Sequence, residues 1–295
     1  MSPATERSNI LIRDIEDTAD MRVVESIEKE VWECDDRDIV PLTMLAAARE
    51  SGGLLIGAYD GPSLVGFAFG FVGLEDGETV HHSHMLAVRS SHRRHNLGYK
   101  LKLAQRERAL QQGINRMTWT FDPLQSLNAN FNFGKLGVLA DEYKVNFYGE
   151  TTSSPLHQTG TDRLWVTWLL NSPRVEERVD QTFRPDPSDP VEATLVRCLD
   201  GHIPERSARV SEAGGGFAAI EIPVDFSSIE RNDPNLARLW RDTTRASFSE
   251  ALAAGFVVRD FVRRTRGEQM AGVYLLIQGS LRDLATPSKD DDSND

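Results

Sequence analysis

The stretch from residue 82 to residue 105 reads HSHMLAVRSSHRRHNLGYKLKLAQ, and it decides the fold. Its first seven residues are typical of a strand, a loop rich in arginine and histidine follows, and a helix begins near Gly98. Amide groups at a helix N-terminus lack intrahelical partners and carry partial positive charge, so this loop could hold a pyrophosphate beside Arg93 and Arg94. An ordinary strand-to-helix turn with a solvated basic face explains the same residues equally well.

Apolar periodicity on both sides of this stretch predicts an α/β domain with the order β-α-α-β-β-β-α-β-α-β-β. The predicted strands cover 10–15, LLIGAY, LVGFAFGFV, 80–88, 116–121, 143–148 and 164–170. The predicted helices include one that carries Met21, Val24, Ile27 and Val31, one opened by Pro41, and two near 97–112 and 127–136.

Breaks in this periodicity predict the domain boundaries. Residues 1–9 and the acidic tail 280–295 are expected to be disordered, and 173–190, with its RPDPSDP run, is expected to be a linker. The predicted domains are therefore 10–172 and a smaller α+β domain at 191–279.

Composition narrows the functional classes. The chain has 295 residues, 40% of them hydrophobic, and a formal net charge of -12, which argues against a general phosphate-backbone binder. No run of about 18 apolar residues and no signal-peptide pattern occurs, so we expect a cytoplasmic protein that does not bind membranes. Its two cysteines, Cys34 and Cys198, are expected to be buried thiols.

The element order and the segment LAVRSSHRRHNLG resemble the GNAT superfamily of acyl-CoA N-acyltransferases over about residues 10–170. The family's loop pattern is Arg/Gln-x-x-Gly-x-Gly/Ala, and the match here is Arg93-x-x-Asn96-x-Gly98. Asn96 replaces a glycine, which is tolerable because asparagine visits positive φ more readily than most residues. The segment WTFDPLQSLNANFNFGKLG is similar to a little-characterised branch of predicted GNAT acyltransferases with a C-terminal extension.

The resemblance implies an acyl-CoA donor, acetyl-CoA among them, whose pantetheine arm lies between the strands before and after the helix. It implies no metal. The implied cofactor-binding residues are Leu86, Val88, Arg93, Arg94, His95, Asn96, Leu97, Gly98, Tyr99, Asn128 and Asn130. Helix capping is an alternative role for the two asparagines Asn128 and Asn130. Trp119 and Asp122 are candidates for contact with the substrate, although aromatic residues at strand spacing are usually core.

Two histidines, His82 and His84, are expected to project from the same face of one strand. HSHMLAV resembles the corresponding strand of serotonin N-acetyltransferase, where paired histidines serve as the base. A free imidazole has a pKa near 6.5, so it is about three-quarters neutral at pH 7. Strand histidines satisfied by hydrogen bonds are the alternative, and a metal site is a third one, which no cysteine or well-spaced carboxylate completes.

Many GNAT enzymes protonate the leaving thiolate with a tyrosine, and Phe133 occupies that position here. Tyr148 or Tyr143 could act as the acid instead, although each fits equally well as a core or edge residue of a strand. A third alternative is that the thiolate leaves without an acid. Arg163 is a candidate for binding a carboxylate group of the substrate. The alternative is that it is an ordinary charged residue on the surface.

The resemblance implies direct transfer of an acetyl or succinyl group from acyl-CoA to the amine of a small molecule, an amino acid among the candidates. A non-catalytic acyl-CoA-binding or regulatory protein is the alternative, which Phe133 and Asn96 favour, and a peptide acetyltransferase is a third. The expected partner is a small-molecule amine, with no nucleic acid and no membrane, and the sequence leaves open a homodimer.

Overall fold

A computed structural model describes residues 10–150, 152–183, 191–214, 216–267 and 269–285, with the backbone alone at 94, 95, 156, 266 and 285. The protein has the predicted α/β class, with a mixed sheet and additional C-terminal strands and helices. It divides into two compact units. The first unit contains the described residues of 1–119 and 152–156, and the second contains those of 120–151 and 157–295.

The first unit follows the predicted element order. Its elements are β1 (Ile10–Asp14), α1 (Thr18–Trp32), α2 (Leu42–Glu50), β2 (Leu54–Asp60), β3 (Ser63–Glu75), β4 (Glu78–Val88), α3 (Leu97–Gln111) and most of β5 (Arg116–Phe121). The strands lie in the order β1-β2-β3-β4-β5, and only the β4–β5 pair is parallel.

Helix α1 shows why these residues fold locally as they do. The Asp17 side chain accepts a hydrogen bond from the backbone N–H of Asp20 and so satisfies one of the unpaired donors of the first turn. Met21, Val24 and Ile27 recur at helical spacing and are fully buried in the core that α1 shares with β2 and β3.

The second unit contains the remaining elements. They are α4 (Ser126–Ala129), a π-helix (Asn130–Leu136), β6 (Leu139–Lys144), β7 (Arg163–Leu169), α5 (Pro173–Val179), β8 (Ala193–Leu199), β9 (Ile203–Arg206), β10 (Phe217–Pro223), α6 (Phe226–Asn232), α7 (Pro234–Ala253), β11 (Phe256–Arg266), β12 (Gln269–Gln278) and α8 (Leu281–Ala285). Their strands lie in the order β7-β6-β11-β12-β10-β8-β9. Trp240 and Phe248 of α7 are fully buried, and Asp233 caps this helix by accepting from the N–H of Leu236.

Several predicted elements differ from the structure. The helix predicted at 127–136 is a short α-helix followed by a π-helix. The strand predicted at 143–148 lies at Leu139–Lys144, because a turn closes at Gly149, whose N–H donates to the carbonyl of Asn146. Of the two cysteines, Cys198 is buried as predicted, whereas Cys34 is only partly buried.

The compact units divide the chain differently from the predicted domains 10–172 and 191–279. In the second unit, β11 pairs with β6 through Val258 and Ala140, so strands from both predicted domains share one sheet. Helices α5 and α8 lie inside the predicted linker and the predicted tail, while residues 1–9, 184–190 and 286–295 lie outside the described residues. Within the described ranges, no helix has both the length and the apolar character needed to cross a membrane.

Candidate functional site

Strands β4 and β5 separate at one end of the first unit's sheet. Their parallel pairing consists of His81 with Met117 and His82 with Thr118, among the described residues, although β4 continues to Val88. Beyond this point the edge of β4 that faces β5 has no ladder partner from β5. The result is an opening between two strands, which we call the β4–β5 gap.

A β-bulge lies at the start of this gap. Phe69 of β3 faces Met85, and Phe71 faces His82, so Ser83 and His84 together oppose Gly70. An extra residue in one strand interrupts the ladder and bends that strand. Gly70 is required at this place because a Cβ would lie only 2.6 Å from the carbonyl oxygen of His82.

His82 and His84 lie close together, as the sequence predicts, with 6.3 Å between ring centroids. Phe71 lies against both rings, at 5.4 Å from His82 and 5.9 Å from His84. The two histidines therefore belong to one half-buried aromatic surface at the bulge.

A hydrogen-bonded chain fixes the tautomer of His82. The hydroxyl of Thr118 donates to the Glu75 carboxylate at 2.7 Å, and its oxygen lies 3.1 Å from Nδ1 of His82. Since a carboxylate only accepts, the Thr118 proton is committed to Glu75, and the Thr118 oxygen accepts from His82 Nδ1–H. The proton-accepting nitrogen of His82 is then Nε2, the atom that a general base needs.

Burial changes the basicity of these histidines. It lowers the pKa of His82 to about 4, with a smaller contribution from the charges of His84 and Lys102, and it also lowers the pKa of His84. The free-imidazole value of about 6.5 is therefore wrong here, and His82 is neutral throughout the physiological range. A protonated amine with a pKa near 10 would lose its proton to His82 only at a cost of about 8 kcal/mol, so the amine must enter unprotonated or be desolvated.

The opposite face of β4 carries a buried polar network that the sequence reasoning missed. The amine of Lys102 donates to the hydroxyl of Ser83 at 2.7 Å, and this hydroxyl donates to Oε1 of Gln105 at 2.8 Å. Nζ of Lys102 also lies 3.6 Å from the centroid of the Trp119 ring. Burial lowers the pKa of Lys102 well below its ordinary value, so α3 holds a fully buried amine behind the bulge whose charged form is disfavoured.

The segment from Ser90 to Tyr99 joins β4 to α3 through a tight turn. Residues Ser90–His95 form a 3₁₀ turn, and Asn96 adopts the left-handed region with φ 55° and ψ 29° just before α3. Leu97 is buried, while Gly98 and Tyr99 are partly buried. Arg93 is exposed and donates to the carbonyl of Val88 at 3.4 Å, whereas the side chains of Arg94 and His95 lie outside the described residues.

These features fit a coenzyme A molecule. The first N–H groups of α3 have no partners within the helix and face the loop side, where a pyrophosphate needs donors. Leu86 and Val88 lie on β4 beside the gap, paired with Ala68 and Gly66 of β3. The residues present therefore suit the group that the loop pattern implies.

The predicted site residues Asn128, Asn130 and Tyr148 lie in the second unit. Asn128 is exposed on α4, Asn130 begins the π-helix, and the Tyr148 hydroxyl lies 3.4 Å from Oγ1 of Thr120. Phe133 is fully buried with its ring 5.8 Å from that of Tyr274. The Tyr143 hydroxyl donates to Asp162 at 2.8 Å, an engagement that disfavours Tyr143 as the acid.

Asp122 and Trp119, the predicted substrate contacts, both have partners. Arg241 of α7 holds both carboxylate oxygens of Asp122, at 2.7 and 2.8 Å, and this guanidinium keeps the pKa of Asp122 low against the effect of burial. Trp119 is nearly buried, with Lys102 over its ring. These contacts favour structural roles for the two residues.

A second feature that the sequence reasoning missed is a hydrogen-bonded clasp between 152–156 and the segment after α1. The hydroxyl of Ser153 accepts from the N–H of Asp35 at 2.9 Å, and its own N–H donates to Asp38 at 2.8 Å. Ser154 donates to the carbonyl of Trp32 at 2.7 Å. This clasp fixes the segment between α1 and α2. Among the described residues, no group of three or more metal-ligating side chains is found.

Comparisons with known proteins found one matching family model and a set of similar solved structures. Residues 17–137 match the family model described as acetyltransferase (GNAT) family. The Escherichia coli ribosomal-protein-S18-alanine N-acetyltransferase is 16% identical, with a TM-score of 0.44 over 55% of this chain and 94% of that chain. A putative acetyltransferase from Salmonella typhimurium, solved with its cofactor acetyl-CoA, is 18% identical, with a TM-score of 0.43 over 55% and 94%.

An aminoglycoside acetyltransferase from an uncultured soil metagenomic sample, solved with sisomicin, is 16% identical, with a TM-score of 0.38 over 42% of this chain and 86% of that chain. The comparison with curated proteins found no match. Residues 17–137 match the GNAT acetyltransferase family, and this match covers less than half of the chain.

Proposed function

We propose that this protein is an N-acyltransferase that moves an acetyl or succinyl group from acyl-CoA directly to the amine of a small molecule. The observation that carries the proposal is the β4–β5 gap, which opens beyond His82 and Thr118 inside the segment that matches the GNAT family. An extended pantetheine arm can pair with the unpartnered edge of β4 there, through Leu86 and Val88. The start of α3 then offers its N–H groups to the pyrophosphate.

The acyl-CoA thioester supplies an activated acyl group. In the proposed reaction the amine nitrogen forms a bond to the acyl carbon and the carbon–sulfur bond breaks. His82 accepts the proton that the amine loses, through water, with Nε2 as the accepting atom; His84 is the alternative base. Tyr148 is the candidate that returns a proton to the thiolate, and a thiolate can also leave without an acid because its pKa is near 8.5.

Thr118 and Glu75 give His82 its function in this proposal. They hold the imidazole in the tautomer that exposes Nε2 as an acceptor, and the carboxylate offsets part of the charge that His82 gains on protonation. The low pKa of His82 makes it a weak base, so the site depends on excluding water from the amine.

The experiment begins with calorimetric titration of the protein with acetyl-CoA, succinyl-CoA and free CoA. Turnover of the tighter-binding acyl-CoA is then measured by thiol release with a panel of small amines. We expect His82→Ala combined with His84→Ala to lower turnover by about 10²-fold or more while the affinity for acyl-CoA is kept. His202→Ala, a histidine variant in the second unit, is the matched control and should retain turnover.

Three outcomes would contradict the proposal in different ways. Failure to bind any of the three compounds removes the donor assignment. Binding without turnover of any amine supports the non-catalytic alternative instead. Turnover with a peptide N-terminus but with no small amine changes the acceptor class.

A further inference from the structure

Arg163, the first residue of β7, is a buried cation without an anionic contact in the described part of the chain. It is only 7% exposed, so it is not the surface charge considered from sequence. Its Nη1 donates to the carbonyl of Asp162 at 2.9 Å, and Nη2 lies 2.7 Å from Nε2 of His157. Its third neighbour is the ring of Tyr148, with the centroid 5.2 Å from the guanidinium carbon. None of these three contacts is to a carboxylate.

The two nearby aspartates are occupied by other arginines. Arg241 holds Asp122 through two hydrogen bonds, and Arg245 holds Asp162 through two more, at 2.8 and 2.9 Å. No oxygen of either carboxylate lies within 4.0 Å of the Arg163 guanidinium, and Glu230, the other buried carboxyl group nearby, accepts from Thr159. Two of these three arginines, Arg241 and Arg245, are therefore paired with carboxylates, whereas Arg163 has no carboxylate contact.

The pKa values agree with this division. Burial lowers the pKa of Arg163 although Asp122 and Asp162 attract its charge, whereas the attraction and the hydrogen bonds of Asp122 raise the pKa of Arg241 despite its burial. A buried cation that has no direct hydrogen bond to a carboxylate is stabilised when an anion binds against it.

The guanidinium is also reachable. Its Nε has no hydrogen bond in the described part of the chain and is not among the described atoms that are both buried and unbonded, so this N–H is in contact with solvent. Tyr148 beside it is 42% exposed. A planar fork of N–H donors at an opening matches the two oxygens of a carboxylate.

We infer that Arg163, bordered by Tyr148 and steadied by His157, binds the carboxylate group of a small molecule. The carboxylate belongs either to the amine acceptor itself, which rests on the proposed function, or to a separate carboxylate ligand. Both possibilities require the positive charge of Arg163, and the two measurements below distinguish an acceptor carboxylate from a separate ligand.

The first measurement is equilibrium binding at constant ionic strength, with glycine and succinate as carboxylate probes and glycinamide as the matched probe without a carboxylate. The wild type should bind the carboxylate probes, and Arg163→Gln should weaken them by roughly 10- to 100-fold, the range for losing a charge-assisted hydrogen bond. Arg163→Lys should weaken them less because it keeps the charge. Arg238→Gln, which removes an exposed arginine of α7, is the control for net charge and should bind as the wild type does.

The second measurement is the rate of acyl transfer to glycine and to glycinamide. If the carboxylate is part of the acceptor, kcat/KM should favour glycine by 10-fold or more, and Arg163→Gln should abolish this preference through KM. If Arg163→Gln weakens binding of the carboxylate probes but kcat/KM is the same for glycine and glycinamide, the carboxylate belongs to a separate ligand. The ratio of two amines within one variant does not depend on how much of that variant is folded.

Equal binding of the carboxylate probes to wild type and Arg163→Gln overturns the inference, and so does a wild type that binds none of them. Absence of acyl transfer to every amine overturns the proposed function alone, because the equilibrium measurement still decides whether Arg163 binds carboxylates.

Discussion

Replacing Lys102 by methionine should remove a pH dependence of stability that this one residue creates. The amine of Lys102 is buried between α3 and β4, with Ser83 and Trp119 as its contacts. Burial lowers its pKa far below that of a lysine in the unfolded chain, which is about 10.4. In the window between these two pKa values the unfolded chain binds one proton more than the folded chain.

The sign and the size of the effect follow from this proton. Stability rises with pH wherever the unfolded state binds more protons, by about 1.4 kcal/mol per pH unit for one proton. The free energy of unfolding of the wild type minus that of Lys102→Met should therefore increase by about 1.4 kcal/mol per pH unit as the pH rises toward 10. Above the unfolded pKa the difference should level off at the value of the lost hydrogen bond and packing.

The measurement is urea unfolding of both proteins at several pH values from 7 to 10. Subtracting the two curves cancels the titration of all other groups. Lys100→Met, which removes an exposed lysine from the same helix, is the matched control and should show a flat difference. A flat difference for Lys102→Met as well would refute the lowered pKa of Lys102 and would mean that Lys102 keeps its charge in the folded state over this range.

Three other perturbations test separate parts of the structure. Thr118→Val should lower acyl-transfer turnover roughly 10-fold with unchanged acyl-CoA affinity, less than loss of the base itself, and Thr118→Ser should restore it; equal rates would remove Thr118 from the proposed site. Arg241→Met should lower the free energy of unfolding in urea by about 3–5 kcal/mol because it leaves Asp122 buried without its partner, and Asp122→Asn in the same chain should recover part of the loss. Burial raises the pKa of Glu28 from 4.5 to about 7, so the folded state keeps a proton that the unfolded state loses, and stability should fall by about 1.4 kcal/mol per pH unit across that interval. Glu28→Gln should flatten this fall in unfolding experiments, and an unchanged slope would contradict it.

Local sequence signals were sufficient for much of the first unit. The apolar spacing of α1, the strand pattern of β4 and the position of α3 are properties of neighbouring residues, and the structure has all three where they were predicted. The left-handed conformation at Asn96 also followed from residue type, since asparagine tolerates positive φ and replaces a glycine in the loop pattern.

Features that depend on distant contacts were not accessible in this way. Lys102 and Gln105 have polar side chains on a buried helix face, and only the fold shows that Ser83 lies opposite to receive them. The signal in the sequence is their helical spacing with Leu97 and Leu101, which places them on a helix face that is normally apolar when it is buried. The role of Glu75 could not be predicted from the sequence either, because its carboxylate is linked to His82 through the hydroxyl of Thr118 on another strand.

The arginines of α7 explain why the boundary predicted near residue 172 and the compact units differ. Asp122 follows β5 and Asp162 precedes β7, yet their partners Arg241 and Arg245 come from a helix about 80 to 120 residues later, as the hydrogen bonds show. Each aspartate is largely or fully buried, so each needs its cation to avoid the cost of an unpaired charge. Helix α7 thus neutralises the aspartate that follows β5 and the aspartate that precedes β7. Because Asp122 and Asp162 are hydrogen-bonded to arginines of α7, neither carboxylate contacts Arg163. In our inference, the positive charge of Arg163 therefore attracts an anion from solution to the second unit.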